Sequence, residues 1–254
     1  MGHPGAPNHD HHRSVWFAHN KVFGHNFWAD TTACRIEQKE WMAIEDGNDY
    51  SRLAVLLDWL DGHDPIPLMK QTLIVEFRPI DETNWALEIQ ATFTPVADQL
   101  ELQKTNFGFL AVRVSKQISD FFGGGTLTNS EGAVSEKNIF GKPARWMDYS
   151  GKQFHHESGR EVAEGITYID HPDNTGQPTR WHVRADGWMG ASPGMEASIE
   201  VKKNAPLTLR YLLLVHAGAV PVELANRLHE AFSKSKPLEV KRATKSHHYY
   251  EIGR

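Results

Sequence analysis

From Trp85 to Thr94 the chain alternates without interruption. Trp85, Leu87, Ile89, Ala91 and Phe93 share one parity, and Ala86, Glu88, Gln90, Thr92 and Thr94 share the other. Side chains two apart point the same way in an extended strand, so this run predicts a half-buried strand with one apolar and one largely polar face. Leu73, Val75 and Phe77 alternate in the same way just before it, and the turn-forming stretch Pro79–Asn84 makes the two runs a hairpin. Ala197, Ile199 and Val201 alternate with Ser198, Glu200 and Lys202, and Pro206 precedes a longer run from Leu207 to His216. Further strands are predicted at Ser14–His19, Leu53–Trp59, Phe109–Ser115, Gly165–Asp170 and Trp181–Arg184.

About ten short strands separated by Gly, Pro, Asn and Asp clusters predict an all-β fold, an antiparallel β-sandwich. A parallel α/β fold needs helical patterns between its strands, and those are missing. One helix is predicted from about Pro221 to Ser233, where Val222, Ala225, Leu228 and Phe232 recur at helical spacing. The basic tail after Lys234 reads as solvated and peripheral. No repeat or linker interrupts the chain, which predicts one domain over residues 1–254.

Composition narrows the function. Of 254 residues, 40 % are hydrophobic and 23 % charged, a globular balance. The formal net charge of −5 argues against a nucleic-acid partner. The longest uncharged apolar run, Tyr211–Val222, is far shorter than the roughly 20 residues of a spanning helix, so no membrane span is expected. The N-terminus lacks the basic and apolar regions of a signal peptide. The chain as given reads as soluble and cytoplasmic, with a signal upstream of Met1 as the alternative. The lone cysteine, Cys34, cannot form an internal disulfide. Fifteen histidines and eight tryptophans supply proton shuttles and flat platforms for sugar rings.

Three stretches concentrate those residues. In His9-Asp10-His11-His12-Arg13-Ser14-Val15-Trp16-Phe17-Ala18-His19, a strand continuing through the block would set His11, Arg13 and His19 on one face and His12 and Trp16 on the other. In Thr179-Arg180-Trp181-His182-Val183-Arg184, His182 and Arg184 face one way and Trp181 and Val183 the other, while His171 sits at a strand end in Asp170-His171-Pro172-Asp173-Asn174. The glycine-rich stretch from Gly123 to Gly132 leads through Glu131 and Glu136 to Trp146 and Asp148, carboxylates able to act as general acid or base. Gly190-Ala191-Ser192-Pro193-Gly194 has the spacing of a nucleophile elbow. However, Pro193 has no N–H to serve as oxyanion donor, and a strand rather than a helix follows. His155-His156-Glu157 lacks the spacing of a zinc protease helix.

The His9–His19 block with Phe27-Trp28 resembles the opening of a bacterial family described as PmoA-like and labelled "methane oxygenase". Asn129–Gly132, Trp146–Gly151, Asp170–Asn174, Pro178–Arg184 and Leu209–Gly218 resemble its later blocks, in the same order along most of the chain. Relatives in that family generally carry a further N-terminal region, so this chain reads as starting late, and Asp10 stands where the family usually has proline. Methane oxidation by a membrane enzyme does not suit a chain without a spanning segment. The resemblance implies instead a galactose-mutarotase-like supersandwich associated with carbohydrate metabolism.

The expectation is then a carbohydrate-active enzyme, an epimerase, lyase or hydrolase, acting on a sugar or oxidised sugar. Its acid–base groups are drawn from His12, His19, Glu131, Asp148, His171 and His182. His11, Arg13, Trp16, Trp146, Trp181 and Arg184 are expected to contact the small-molecule carbohydrate, with Arg13 or Arg184 steadying a developing oxyanion. This scheme requires the imidazole-rich start of the chain to lie beside Trp181–Arg184. No cofactor is predicted. The alternatives are a non-catalytic carbohydrate-binding sandwich and an enzyme whose histidines hold a divalent metal.

Overall fold

The computed structural model describes residues 11–244 and 246–254. Eight antiparallel strands form the large sheet. Four run consecutively as a meander: β2 (Arg35–Asp46), β3 (Ser51–Leu60), β4 (Met69–Pro79) and β5 (Trp85–Pro95). Against β5 lies β14 (Leu207–Ala217), followed by β10 (Arg160–Asp170), β9 (Trp146–His155) and β8 (Thr126–Asn129). The small sheet has the order β1 (Val15–His19), β7 (Gly108–Arg113), β12 (Trp188–Ala191), β11 (Trp181–Arg184). Two further pairs flank them, β6 (Gln99–Leu102) with β13 (Ile199–Lys202), and β15 (Glu239–Arg242) with β16 (Tyr250–Gly253). Among the described residues the α-helices are two single turns, α1 (Asp120–Gly123) and α2 (Glu136–Ile139), and the longer α3 (Val222–Ser233).

The two sheets face one another across a continuous apolar core. Ile89, Ala91 and Phe93 of β5 and Leu209, Tyr211 and Leu213 of β14 meet Leu110, Val112, Val183 and Met189 of the small sheet. Each large apolar side chain so buried contributes about 1.5–3 kcal/mol, and this core provides the main drive for the sandwich. The all-β antiparallel class and the single longer helix match the sequence expectation. Pro221 is the N-cap of α3 rather than a residue of its first turn.

Two expectations need correction. The polar face of β5 is not solvated: Ala86 packs beneath α3 with Trp146, Ile169, Leu212 and Phe232, and Glu88 is 1 % exposed. The basic tail is not peripheral either. Leu238 and Ile252 pack on Ala43, Ala54 and Ile74, and the Gln90 side chain donates to the Leu238 carbonyl and accepts from its N–H. Arg254 closes this layer by pairing with both Glu76 and Glu88, while Arg52, Arg78 and Arg210 supply further cations to the same two carboxylates. Amphipathic alternation predicted an open outer face, but α3 and the β15–β16 hairpin cover much of it.

Candidate functional site

The outer face of the small sheet is built by strand register. Trp16 pairs with Ala111, Ala111 with Gly190, and Gly190 with His182, so these four residues form one row across the sheet. In the next row Trp188 pairs with both Arg113 and Arg184. Paired residues share a face. The middle of the first row is therefore floored by two of the smallest residues and bounded by an indole and an imidazole. A Cβ on Gly190 would lie 3.3 Å from the Trp188 ring. The tight β11–β12 turn that sets this register relies on Gly187 at φ +107°, whose N–H donates to Arg184 O.

Aromatic rings from the preceding loops complete the walls. Trp28 lies 5.6 Å from Trp188, 6.0 Å from Trp16 and 5.2 Å from Phe107, centroid to centroid. His182 is enclosed by Trp188 at 4.3 Å, Phe107 at 4.8 Å and Phe140 at 5.0 Å. His12 stacks on Trp16 at 4.8 Å with an interplanar angle of 18°. The Nε2–H groups of His11 and His12 both donate to the Trp28 carbonyl, at 3.2 and 3.0 Å, and His11 Nδ1 is 3.3 Å from Asp30. The imidazole-rich start of the described chain and the Trp181–Arg184 strand thus border one aromatic cluster.

Hydrogen bonding in this cluster is incomplete. His182 Nδ1–H donates to the Asn106 carbonyl at 2.9 Å, so Nε2 carries the lone pair, and that nitrogen is buried without a partner. Burial, assisted by the Arg184 cation, lowers the His182 pKa to about 3, against the opposing pull of the Asn106 carbonyl. Trp16 Nε1–H, Arg113 Nε and Arg113 Nη2 are likewise buried without partners. Arg113 is held only through Nη1, at 3.3 Å from the Asp186 carbonyl and 3.4 Å from its carboxylate. A buried polar group left unbonded costs about 1–3 kcal/mol. Four such atoms on three neighbouring side chains of one face require a physical explanation.

Residues 2–230 match the family of unknown function DUF6807. The chain belongs to this family. No curated protein matches it. The DUF6807 match ends within α3, so the β15–β16 hairpin lies outside it.

The remaining sequence candidates of this DUF6807 chain are dispersed. His19, at the end of β1, stacks on Phe109 and donates from Nε2 to Gln103 O at 3.0 Å. Burial brings its pKa down to about 4. Trp181 is sealed in the core with its indole N–H on Ala144 O, and Trp146 is sealed beneath α3 with its N–H on Asn226, so neither ring offers a face to a ligand. His171 accepts the Asp173 N–H at Nδ1 and donates from Nε2 to Phe232 O, fastening the end of α3. Its burial, assisted by the Arg210 guanidinium beside it, holds its pKa below the ordinary value. Glu131 is exposed on a loop, where it accepts from Ser130 and lies 3.7 Å from Arg145. Arg184 pairs with Glu136 at 2.9 Å, and Glu136 also accepts the Ala185 N–H. Arg13 is exposed. The strand expected to run through His11–Ser14 starts only at Val15, because Ser14 adopts φ 52°.

Asp148 belongs to another place, the outer face of the large sheet. It accepts from Ser150, from Thr167 Oγ1 at 2.6 Å and from His216 Nε2 at 2.9 Å, and it is fully buried. A cleft of about 270 Å³, lined by Thr126, Thr128, Ser150, Lys152 and Val220, opens beside it. The carboxylate lies between hydroxyl and imidazole, so the order of a Ser–His–Asp triad is absent. Gly165 permits this pair, since a Cβ there would meet the His216 ring at 2.7 Å.

Among the described residues, no three His, Cys, Asp or Glu side chains gather as a metal-binding group. No helix among them is long and apolar enough to cross a membrane. Sequence reasoning missed Phe107, Trp188 and Arg113. The last left a readable signal as the one charge in the apolar run Phe109–Val114.

Proposed function

We propose that this chain binds a sugar or oxidised sugar on the outer face of its small sheet and acts on it by acid–base chemistry through His182. The observation that carries the reading is the His182 ring. A main-chain carbonyl fixes one nitrogen as donor, the other keeps its lone pair, and three aromatic rings exclude water around it. An imidazole oriented through Nδ1 with Nε2 available is arranged as a general base, able to take a proton from a ring hydroxyl or from a carbon next to a carbonyl. Trp16, stacked on one side by His12, and Trp28 are both half-buried, and their accessible parts would meet the apolar side of a pyranose. The galactose-mutarotase-like sandwich implied by the resemblance to the PmoA-like family agrees with a sugar ligand, and epimerase, lyase or hydrolase chemistry would each use such a base.

A second reading, sugar binding without turnover, draws on the same residue. A histidine with a pKa near 3 accepts a hydroxyl's hydrogen bond more readily than it removes the proton. One experiment separates the two. The protein and its His182→Ala variant are titrated with neutral hexoses, uronates and aldonates, with tryptophan fluorescence reporting binding and NMR following the sugar's fate. The enzymatic reading expects saturable quenching with product formation, the product being lost in the folded variant. Binding with no chemical change in any sugar supports the second reading, and no response to any sugar ends both.

A further inference from the structure

The cluster is chemically polarised. Its unpartnered side chains on β1 and β7, Trp16 Nε1–H and Arg113 Nε–H and Nη2–H, can only donate, whereas His182 Nε2 on β11 and Asp186 Oδ1 in the β11–β12 turn can only accept. Arg113 and Ala111 are two apart on β7, and Ala111 pairs with Trp16, so Arg113 and Trp16 are diagonal neighbours on the same face. Trp188, paired directly with Arg113, bridges to both ends, with ring centroids 6.0 Å from Trp16 and 4.3 Å from His182.

Nε and Nη2 form one edge of the guanidinium, two parallel N–H bonds whose spacing matches the two oxygens of a carboxylate. The other side, Nη1, is taken by Asp186. Arg113 is 5 % exposed, so this edge is not engaged with bulk water. The neighbouring charges are Arg184, already paired with Glu136, and Asp186, whose Oδ2 lies 3.4 Å from Arg113 Nη1 and whose Oδ1 is buried without a partner, leaving the Nε–Nη2 edge unengaged. Asp186 engages only Nη1, so the two N–H groups of the opposite edge match a ligand group with several lone pairs and no hydrogens.

We propose that Arg113 and Trp16 form a carboxylate subsite, so that the ligand of this face is a sugar acid, its carboxylate on the Arg113 edge and a hydroxyl directed to His182. The sugar part rests on the function proposed above, whereas the carboxylate part rests on Arg113 and Trp16 alone. The test uses glucuronate, glucose and acetate as probes of the intact protein. Affinities come from calorimetry, and the Arg113 Nε–H resonance is followed by ¹⁵N NMR.

Glucuronate should bind on the order of ten-fold or more tighter than glucose and move the Arg113 resonance, as expected for a charge-assisted bidentate contact. Arg113→Lys, which keeps the charge and loses the edge, should reduce that preference toward one. Because the resonance is read on the unaltered chain, a poorly folding variant does not undo the test. Equal affinity for glucose and glucuronate with an unmoved resonance overturns the subsite and leaves the sugar reading standing. A resonance moved by acetate while neither sugar binds retains the carboxylate subsite and overturns the sugar reading. An Arg113 resonance that responds to none of the three probes overturns the subsite.

Discussion

His19 and His182, carried by the two edge strands of the small sheet, are held by one and the same loop: the first donates to the Gln103 carbonyl and the second to that of Asn106. Both imidazoles are neutral at pH 7, with pKa values of about 4 and about 3. Their stabilising contribution is complete above the ordinary value of 6.5 and is lost as the pH falls from there toward the folded values, because the unfolded chain then binds protons that the folded chain refuses. Down to the folded values this amounts to about 3 kcal/mol for His19 and about 5 kcal/mol for His182. Asp170 acts in the opposite sense: burial raises it to about 6, so its carboxyl favours folding as the pH drops from about 6 to 3.8, by about 3 kcal/mol. His171, also held below its ordinary value, adds a loss of the same sign, so the losses outweigh the one gain and a net fall in stability is predicted between pH 6.5 and 4, measured by urea unfolding at stepped pH. His182→Phe should flatten the curve, and a stability that stays level or rises on acidification would show that the two rings are not buried neutral.

The C-terminal hairpin is predicted to be integral to the fold. Leu238 is 1 % exposed and packs on β2, β3 and β4 residues. Leu238→Ala should cost about 2–4 kcal/mol, the range for a buried leucine that leaves a cavity. Thermal unfolding measures it, and a change within about 0.5 kcal/mol, the range of ordinary surface substitutions, would place the hairpin outside the cooperative unit.

Asp148 and His216 are predicted to stabilise the large sheet. Replacing His216 by leucine leaves the Asp148 carboxylate buried with only the Thr167 and Ser150 hydroxyls, and should cost about 3 kcal/mol or more. Sugar binding on the opposite sheet should be unchanged in the folded fraction. If the variant is as stable as the parent, the pair has no such role.

At Gly165 the constraint is steric. A Cβ there would stand 2.6 Å from the Tyr149 carbonyl and 2.7 Å from the His216 ring. Because the first of these is main chain, Gly165→Ala should destabilise by about 1–3 kcal/mol through displacement of β9 or of His216. Denaturant unfolding reads the cost, and an unaltered midpoint would mean the strand separation yields without strain.

What the sequence could and could not reveal follows from where each signal is stored. β5 and β11 alternate in sequence, and their positions are readable residue by residue, whereas β14 is readable as a longer apolar run bounded by Pro206. β2 was hidden because its pairing with β3 slips between Gln38 and Glu40 and again between Trp41 and Ala43, which breaks the parity a reader relies on. The buried outer faces were hidden because alternation reports polarity, and Glu88 and Gln90 are polar yet enclosed by partners from remote parts of the chain. In the candidate site, His12, Trp16 and His182 were legible by residue type. The separation of Asp148, His171 and Glu131 from them was not, since it is set by which sheet each strand joins.

The atom that orients His182 is a peptide oxygen, as is the one that orients His19. No exchange of side chain at position 106 or 103 can delete either acceptor, so the tautomers of these rings are inherited through the path of the main chain. A family could vary freely at both positions and still present the same two lone pairs.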